Sequence, residues 1–170
     1  MERRASLLEM RARGRRLEGY AATYGTEARI GDFLEVIAPG AFRDTIKGRD
    51  ILAMVDHDSG RVLGRTRSGT LRLSEDSKGL AFDLDLPQTM LASDILALAE
   101  RGDLGGMSFA FTIPTGGEAW HGQRRTLSRV TLHEISVVSA WPAYDGTTVA
   151  ARGRLPVRLA MAKRWLETVR

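Results

Sequence analysis

Hydrophobic and polar residues alternate over short stretches along most of the chain, and this pattern predicts β-strands. The alternation is clearest in residues 70–74 and 80–86, on either side of the turn-forming segment 75–79, so these residues predict a meander. Further strands are predicted at residues 17–24, 33–37, 51–55, 62–66, 105–113, 124–130 and 132–139.

Helical spacing of apolar residues is found in only a few places. One helix is predicted to end at Gly102, and its apolar face consists of Leu91, Ile95, Leu98 and Ala99. Residues 41–47 predict a short helix, and residues 156–169 also have a helical pattern. A doubly wound parallel sheet needs a helix between most strands, which this chain lacks. The sequence therefore predicts a mainly β protein of the α+β class, a closed or nearly closed antiparallel β-barrel surrounded by a few helices.

The composition is typical of a soluble globular domain. The chain has 170 residues, of which 43% are hydrophobic and 27% are charged. No apolar run approaches the roughly 18 residues of a membrane span, and no apolar stretch follows the basic N-terminus, so we expect neither a membrane anchor nor secretion. The absence of cysteine excludes disulfides, thiolate catalysis and cysteine-based metal sites.

The net charge of +4 is distributed unevenly along the chain. Residues 1–16 contain six arginines and two glutamates, and residues 152–170 contain six basic residues and one glutamate. We predict a basic N-terminal arm or helix at 1–16, a central domain at 17–150 and a basic C-terminal helix or tail at 151–170. Such ends either bind nucleic acid or an acidic protein surface, or are simply solvated. The central part lacks a Lys/Arg stripe, which argues against a DNA-binding domain.

His57 is the first candidate for chemistry. It follows the apolar run 51–55 and is flanked by Asp56 and Asp58. A strand that ends there holds the imidazole rigidly while leaving it partly exposed, as a general base requires. The alternative is an ordinary loop histidine in a polar turn before Ser59 and Gly60.

Ser108 and Glu134 are two further candidates. Ser108 follows Gly105 and Gly106, and glycines before a strand can turn backbone N–H groups toward an oxyanion, although such a pair is commonly just a turn. Glu134 lies in the predicted strand 132–139, where an inward carboxylate could orient an imidazole. Adjacent strand residues face opposite sides, so only one of Glu134 and His133 can point at a given site. A salt bridge or a solvated edge is the alternative for both residues.

Metal chemistry is the competing interpretation of the histidines. Asp56, His57 and Asp58 offer nitrogen and oxygen ligands, and His121 and His133 could add more. However, the chain has no pair of histidines at metal-binding spacing, and it lacks phosphate-loop and dinucleotide fingerprints. Nothing in these residues requires a cofactor or a metal.

Several segments, taken in order, resemble the prohead (capsid maturation) proteases of tailed bacteriophages, which are related in fold to herpesvirus assemblin. The resemblance covers about residues 17–148 and depends on the order and spacing of the segments rather than on any one of them. The matching segments are EVIAPGAF (35–42), DHD (56–58), VLGRT (62–66), SGTLRL (68–73), GL (79–80), LP (86–87), GMSF (106–109), LHEISVV (132–138) and PAY (142–144).

The resemblance implies an assemblin-like barrel and a serine protease in which Ser108 is the nucleophile and His57 the base. It places an acid at Glu134, whereas the herpesvirus relatives use a second histidine, which makes His133 the alternative third member. We select Glu134 because a carboxylate both orients and stabilises an imidazolium. The sequence has Ala110 where the family commonly has glycine, so a turn with positive φ is not expected there.

The resemblance further implies a partner and a place of action. The substrate would be the scaffolding segment of the major capsid protein, cleaved inside the immature capsid in the cytoplasm of the bacterial host. Self-association and self-cleavage are implied as well, whereas no membrane and no specific nucleic acid is expected. Residues 152–170 are either a signal that carries the enzyme into the shell or a helix on its own barrel. The alternatives are a catalytically inactive capsid-assembly module of the same fold and a capsid component that binds nucleic acid through its arginine-rich ends.

Overall fold

The computed structural model describes residues 1–6 and 10–139, which form thirteen strands and one helix. The predicted C-terminal helix, the PAY segment and the domain boundary near residue 150 lie outside the described residues. In chain order the elements are β1 (Glu2–Ser6), β2 (Met10–Ala12), β3 (Arg16–Thr23), β4 (Ala28–Ile30), β5 (Phe33–Ile37), β6 (Leu52–Val55), β7 (Asp58–Arg65), β8 (Leu71–Glu75), β9 (Gly79–Asp85), α1 (Met90–Arg101), β10 (Gly106–Thr112), β11 (Glu118–His121), β12 (Arg124–Leu127) and β13 (Thr131–Val138).

The strands form three sheets, so the prediction of a β-rich fold is confirmed. Their orders are β1-β10-β13-β6-β7, β11-β12-β5-β4 and β2-β3-β9-β8. Within the described ranges none of the three sheets closes on itself, and the predicted barrel is not confirmed. The pairing is also not purely antiparallel, because β13 runs parallel to β6 and β12 runs parallel to β5. These two parallel pairs join segments that are far apart in the sequence.

The predicted meander and the predicted helix are both present. β3, β9 and β8 are antiparallel neighbours, and their inward residues Leu17, Leu71 and Leu84 are buried. Helix α1 begins after Thr89, whose hydroxyl accepts a hydrogen bond from the N–H of Ala92, and it ends at Gly102 in the left-handed conformation. In residues 1–6 and 10–139 no helix is long and apolar enough to cross a membrane.

Three segments differ from the prediction. Residues 1–16 contain the strands β1 and β2 in place of the predicted helix or arm, and β11 lies between the predicted strands 105–113 and 124–130, where no strand was predicted. Residues 41–47 form consecutive turns rather than a helix. This segment lies between Gly40 and Gly48, both of which have positive φ, and it is too short for helix propagation to offset the cost of nucleation.

Strand β10 is buried on both faces, and it is the element that organises the site. On one face Phe109 packs against Phe42 at a centroid distance of 5.6 Å and against Phe111 at 5.4 Å. Ser108 belongs to the opposite face because side chains alternate along a strand. Its partner in register on β13 is Ser136, and its partner on β1 is Ala5. The serine is therefore held between two hydrogen-bonded strands above an aromatic layer.

Candidate active site

His57 lies at the tip of the hairpin that joins β6 to β7. Val55 pairs with Asp58, so the loop consists of Asp56 and His57 alone, and Ser59 and Gly60 already belong to β7. Both loop residues have positive φ, 51° for Asp56 and 60° for His57, as in the type I′ turns that favour asparagine and glycine. Non-glycine residues rarely adopt this conformation, and where they do it commonly serves a functional site.

The hairpin tip is fixed to β13 by Asp56. The N–H of Asp56 donates to the carbonyl of Val137 at 2.9 Å, and its carboxylate accepts from the N–H of Ser139 at 2.8 Å and from the hydroxyl of Ser139 at 2.7 Å. Burial alone would raise the pKa of Asp56, but these hydrogen bonds and the charge of Arg61 outweigh it and lower the pKa below its usual value. A carboxylate that stays ionised keeps the hairpin, and with it His57, in one orientation.

The imidazole of His57 connects a hydroxyl with a carboxylate. Its Nε2 atom lies 2.7 Å from the Oγ of Ser108, and its Nδ1 atom is hydrogen-bonded to Oε1 of Glu134. An ionised carboxylate only accepts, so Nδ1 carries the hydrogen and Nε2 is left to accept from the serine. The side chain of His57 is 13% exposed to solvent, whereas Ser108 and Glu134 are buried. This is the geometry in which an imidazole removes the proton of a serine that attacks an acyl carbon.

Strand β13 holds Glu134 in its position. Glu134 and Ser136 lie on the same face, and the hydroxyl of Ser136 donates to Oε2 of Glu134 at 2.6 Å and accepts from the N–H of His57 at 3.2 Å. Both residues are buried, with 4% and 0% of their surface exposed. Sequence reasoning did not identify Ser136, although its spacing of two from Glu134 on a strand was a usable signal. We call Ser108, His57, Glu134 and Ser136 the catalytic cluster.

The structure does not bring the other two histidines to this cluster. His133 lies on the opposite face of β13, where its Nε2 is 2.9 Å from the hydroxyl of Thr112. Burial, followed by the positive charge of Arg49, lowers the pKa of His133, which favours the neutral ring. His121 is exposed on β11. Across the described part of the chain no three His, Asp or Glu side chains are grouped as metal ligands would be.

Strand β1 covers the hydroxyl of Ser108, which sequence reasoning did not foresee. Ser108 is 1% exposed, and its Oγ donates to the backbone carbonyl of Arg4 at 2.8 Å. A hydroxyl has a single hydrogen, so this carbonyl and Nε2 of His57 compete for it. The predicted oxyanion donors are also partly occupied, since the N–H of Gly105 donates to the carbonyl of Val138 at 2.8 Å.

A second polar cluster, in which Glu35, Arg4 and Arg125 are buried, lies on the other face of β1. Glu35 of β5 accepts two hydrogen bonds from Arg4, at 2.5 and 2.7 Å, and one from Arg125 of β12 at 3.1 Å. Arg125 also binds Glu2 at 2.9 Å and Glu118 at 2.5 Å. We call these five residues the arginine cluster. The sequence signal for it was a glutamate inside the apolar strand β5, because a buried carboxylate requires a cationic partner.

Aromatic rings complete the arginine cluster. The guanidinium carbon of Arg4 lies 5.3 Å from the centre of the Phe111 ring, and that of Arg125 lies 5.6 Å from Trp120 and 5.8 Å from Phe33. Planar guanidinium groups stack on aromatic faces and form paired hydrogen bonds with carboxylates, so both arginines are bound in ways that lysine reproduces poorly. Arg4 and Arg125 are accordingly buried, with 8% and 7% of their surface exposed.

One comparison with known proteins gives a match. The model of a protein family described as caudovirus prohead serine protease matches residues 3–157 of the 170 residues. This range includes both the catalytic cluster and most of the arginine cluster. Neither the curated proteins nor the solved structures yield a match.

Proposed function

The chain belongs to the caudovirus prohead serine proteases, and on this premise we propose that Ser108, His57 and Glu134 are its catalytic triad. The single observation that carries the proposal is the convergence of these side chains, which lie 51 and 77 positions apart in the sequence. Holding a hydroxyl, an imidazole and a carboxylate in line costs side-chain conformational freedom and places two titratable groups, His57 and Glu134, in or near the interior. This cost is expected where the arrangement has a function.

In the proposed mechanism Nε2 of His57 takes the hydroxyl proton while Oγ of Ser108 attacks the scissile carbonyl carbon. The imidazolium that forms is stabilised by the carboxylate of Glu134, and backbone N–H groups near the triad receive the oxyanion. His57 then gives its proton to the leaving amine as the carbon–nitrogen bond breaks. A water molecule attacks the acyl ester after His57 takes its proton, and that proton returns to Ser108, which restores the enzyme.

Glu134 is the better third member than His133. The carboxylate of Glu134 contacts Nδ1 of His57 and is oriented by the hydroxyl of Ser136. His133 instead faces Thr112 on the far side of the strand, where it cannot reach the ring of His57. A carboxylate at this position fixes the tautomer in which Nε2 accepts a proton, which is the role that the mechanism requires.

The two other function classes are supported less well. A module of the same fold without activity predicts either that Ser108 and His57 do not converge or that their hydrogen bond is blocked. The two residues lie 2.7 Å apart, and the carbonyl of Arg4 competes for the hydroxyl hydrogen without separating them. A component that binds nucleic acid through its N-terminal arginines needs those side chains at the surface. Arg4 is buried against Glu35, and Arg16 is paired with Asp85 at the surface, so two of the six arginines in residues 1–16 are neutralised by carboxylates.

We further propose that the substrate is the scaffolding segment of the major capsid protein. A prohead protease acts within the procapsid in the host cell, so its substrate is expected there. Self-cleavage and self-association are part of this proposal. The proposal also includes residues 152–170 as a segment that carries the enzyme into the shell.

The proposal is tested by co-expressing the full chain with its own capsid protein and weighing the products by mass spectrometry. We expect a capsid fragment with the wild type and a loss of cleavage on the order of 10⁴-fold or more with Ser108→Ala. Ser93→Ala, an exposed serine of α1, is the matched control and should cleave as the wild type does. Retained cleavage by a folded Ser108→Ala variant would remove the serine from the mechanism.

A further inference from the structure

Strand β1 is an edge strand of the five-stranded sheet, and among the described strands its only neighbour is β10. The two strands pair in antiparallel register from Glu2 opposite Phe111 to Ser6 opposite Met107. An edge strand can be exchanged for another extended peptide, which then forms the same main-chain hydrogen bonds. A peptide that replaces β1 would lie directly against Ser108.

The register of β1 defines what such a peptide presents to the nucleophile. The carbonyl of Arg4 is the one that lies 2.8 Å from Oγ of Ser108, whereas the side chain of Arg4 extends to Glu35 and Phe111. A peptide in this register therefore has one residue whose carbonyl faces the nucleophile and whose side chain enters the arginine cluster. The two contacts belong to the same residue, so the cluster can select the peptide bond that is presented.

Removing β1 leaves an anionic subsite behind. Glu2 and Arg4 leave together, so Glu35 and Glu118 remain with the single positive charge of Arg125. Glu35 is 2% exposed and would retain only the 3.1 Å hydrogen bond from Arg125. A carboxylate in the interior that has lost its main cationic partner binds a ligand with a positively charged group most strongly. The chemistry of the subsite thus calls for a basic side chain.

The geometry favours arginine over lysine. Two nitrogens of Arg4 bind the two oxygens of Glu35, and its guanidinium lies above the ring of Phe111. Lysine carries a point charge that can satisfy one carboxylate oxygen well but cannot reproduce the paired hydrogen bonds or the stacking.

We propose that substrate binds as an added strand on the β10 edge in place of β1, and that Glu35 is a specificity-determining residue for an arginine side chain at the position of Arg4. The proposal rests on the proposed function, since it assigns a specificity subsite to the same site. It makes cleavage after an arginine the favoured reaction.

The test uses blocked synthetic peptides with the sequence of residues 1–9 and the full-length enzyme. We compare kcat/KM for cleavage after position 4 between the parent peptide and peptides that carry Arg4→Gln, Arg4→Lys or Arg3→Gln. Arg4→Gln should lower kcat/KM on the order of 10- to 100-fold, because a charge-assisted pair is replaced by a neutral one, and Arg4→Lys should lower it less. Arg3 is exposed, so the Arg3→Gln peptide is the control: it loses the same charge, and its kcat/KM should equal that of the parent peptide.

The enzyme variant Glu35→Gln gives a second readout. It should cleave the Arg4→Gln peptide and lose the preference for the parent peptide, so the ratio of the two kcat/KM values falls toward one. This ratio does not depend on how much of the variant is folded. A reduced rate with an unchanged ratio would mean that Glu35 is only structural and would overturn the proposal.

The remaining outcomes separate this proposal from the proposed function. Cleavage of the capsid protein that depends on Ser108, together with equal rates for all four peptides or no cleavage of any peptide, overturns the subsite and leaves the protease intact. No cleavage of either the capsid protein or the peptides overturns the proposed function, and the subsite with it.

Discussion

The catalytic cluster and the arginine cluster lie on opposite faces of the same pair of strands, β1 and β10, yet they are built differently. The catalytic cluster joins a hydroxyl, an imidazole and a carboxylate through single hydrogen bonds, and Ser136 holds the carboxylate. The arginine cluster contains five formal charges linked by paired hydrogen bonds and stacked on rings. The first arrangement lets a proton pass from the hydroxyl to the imidazole, whereas the second has arginines that keep their protons.

Burial has a different role in each of the two clusters. In the catalytic cluster burial fixes orientation, because each group has only one or two partners and a wrong tautomer would break the chain of hydrogen bonds. In the arginine cluster burial increases the dependence of each charge on its partner, because an unpaired charge in the interior is costly. Substitutions in the first cluster should therefore change the rate of the chemical step, and those in the second should change stability as well as the choice of substrate.

The largest effect is expected for Glu134→Gln, which alters the catalytic cluster with little change in shape. A glutamine amide that donates to Nδ1 of His57 forces the hydrogen onto Nε2, and the imidazole can then no longer accept the proton of Ser108. We expect kcat to fall by about 10⁴-fold, equivalent to about 5 kcal/mol, with a Tm close to that of the wild type. Turnover of the capsid protein and a thermal melt measure the two quantities. A rate within tenfold of the wild type would contradict the assigned role.

The second effect tests the arginine cluster through stability. Glu35→Gln removes the buried carboxylate that binds Arg4 and Arg125, so these two cations keep only the more exposed Glu2 and Glu118 as ionic partners. We expect a loss of about 3–5 kcal/mol in the free energy of unfolding and a fall in Tm on the order of 10 °C. Asp83→Asn on the exposed surface of β9 is the control, because it also breaks ion pairs to arginine but only among solvated groups, and its Tm should change far less. Equal changes in the two variants would mean that burial does not distinguish the pairs.

The smallest effect is expected for His133→Asn, which changes the residue next to Glu134. His133 faces away from His57, and within residues 1–6 and 10–139 its side-chain hydrogen bond is to Thr112 alone. We expect kcat to change less than about threefold and stability by no more than about 1 kcal/mol. The kcat values of His133→Asn and Glu134→Gln, measured side by side, compare the two faces of β13 directly. A loss of activity comparable to that of Glu134→Gln would exchange the roles of the two residues.

The catalytic cluster was largely accessible from sequence patterns, whereas the arginine cluster was not. His57 follows an apolar strand and Ser108 opens another, so each is marked by its immediate neighbours. Arg4 belongs to a run of arginines that resembles a solvated arm, and its partner Glu35 is 31 positions away. Whether an arginine is buried depends on such distant partners, and these leave no trace in the local pattern. The same limit applies to β1, because its short sequence gains a defined structure only from β10 and the arginine cluster.

Local sequence patterns predicted where most strands lie, where helix α1 ends, and which residues are candidates for the chemistry, because alternation, capping and turn formation depend on neighbouring residues. The tertiary structure alone decided the pairing of β13 with β6, the side of β13 that meets His57, and the position of β1 over Ser108. Pairing is decided by the competition of all strands to bury apolar surface and satisfy hydrogen bonds together, and that competition involves residues across the whole fold. The orientation of Glu134 rather than His133 toward the imidazole is a product of that competition.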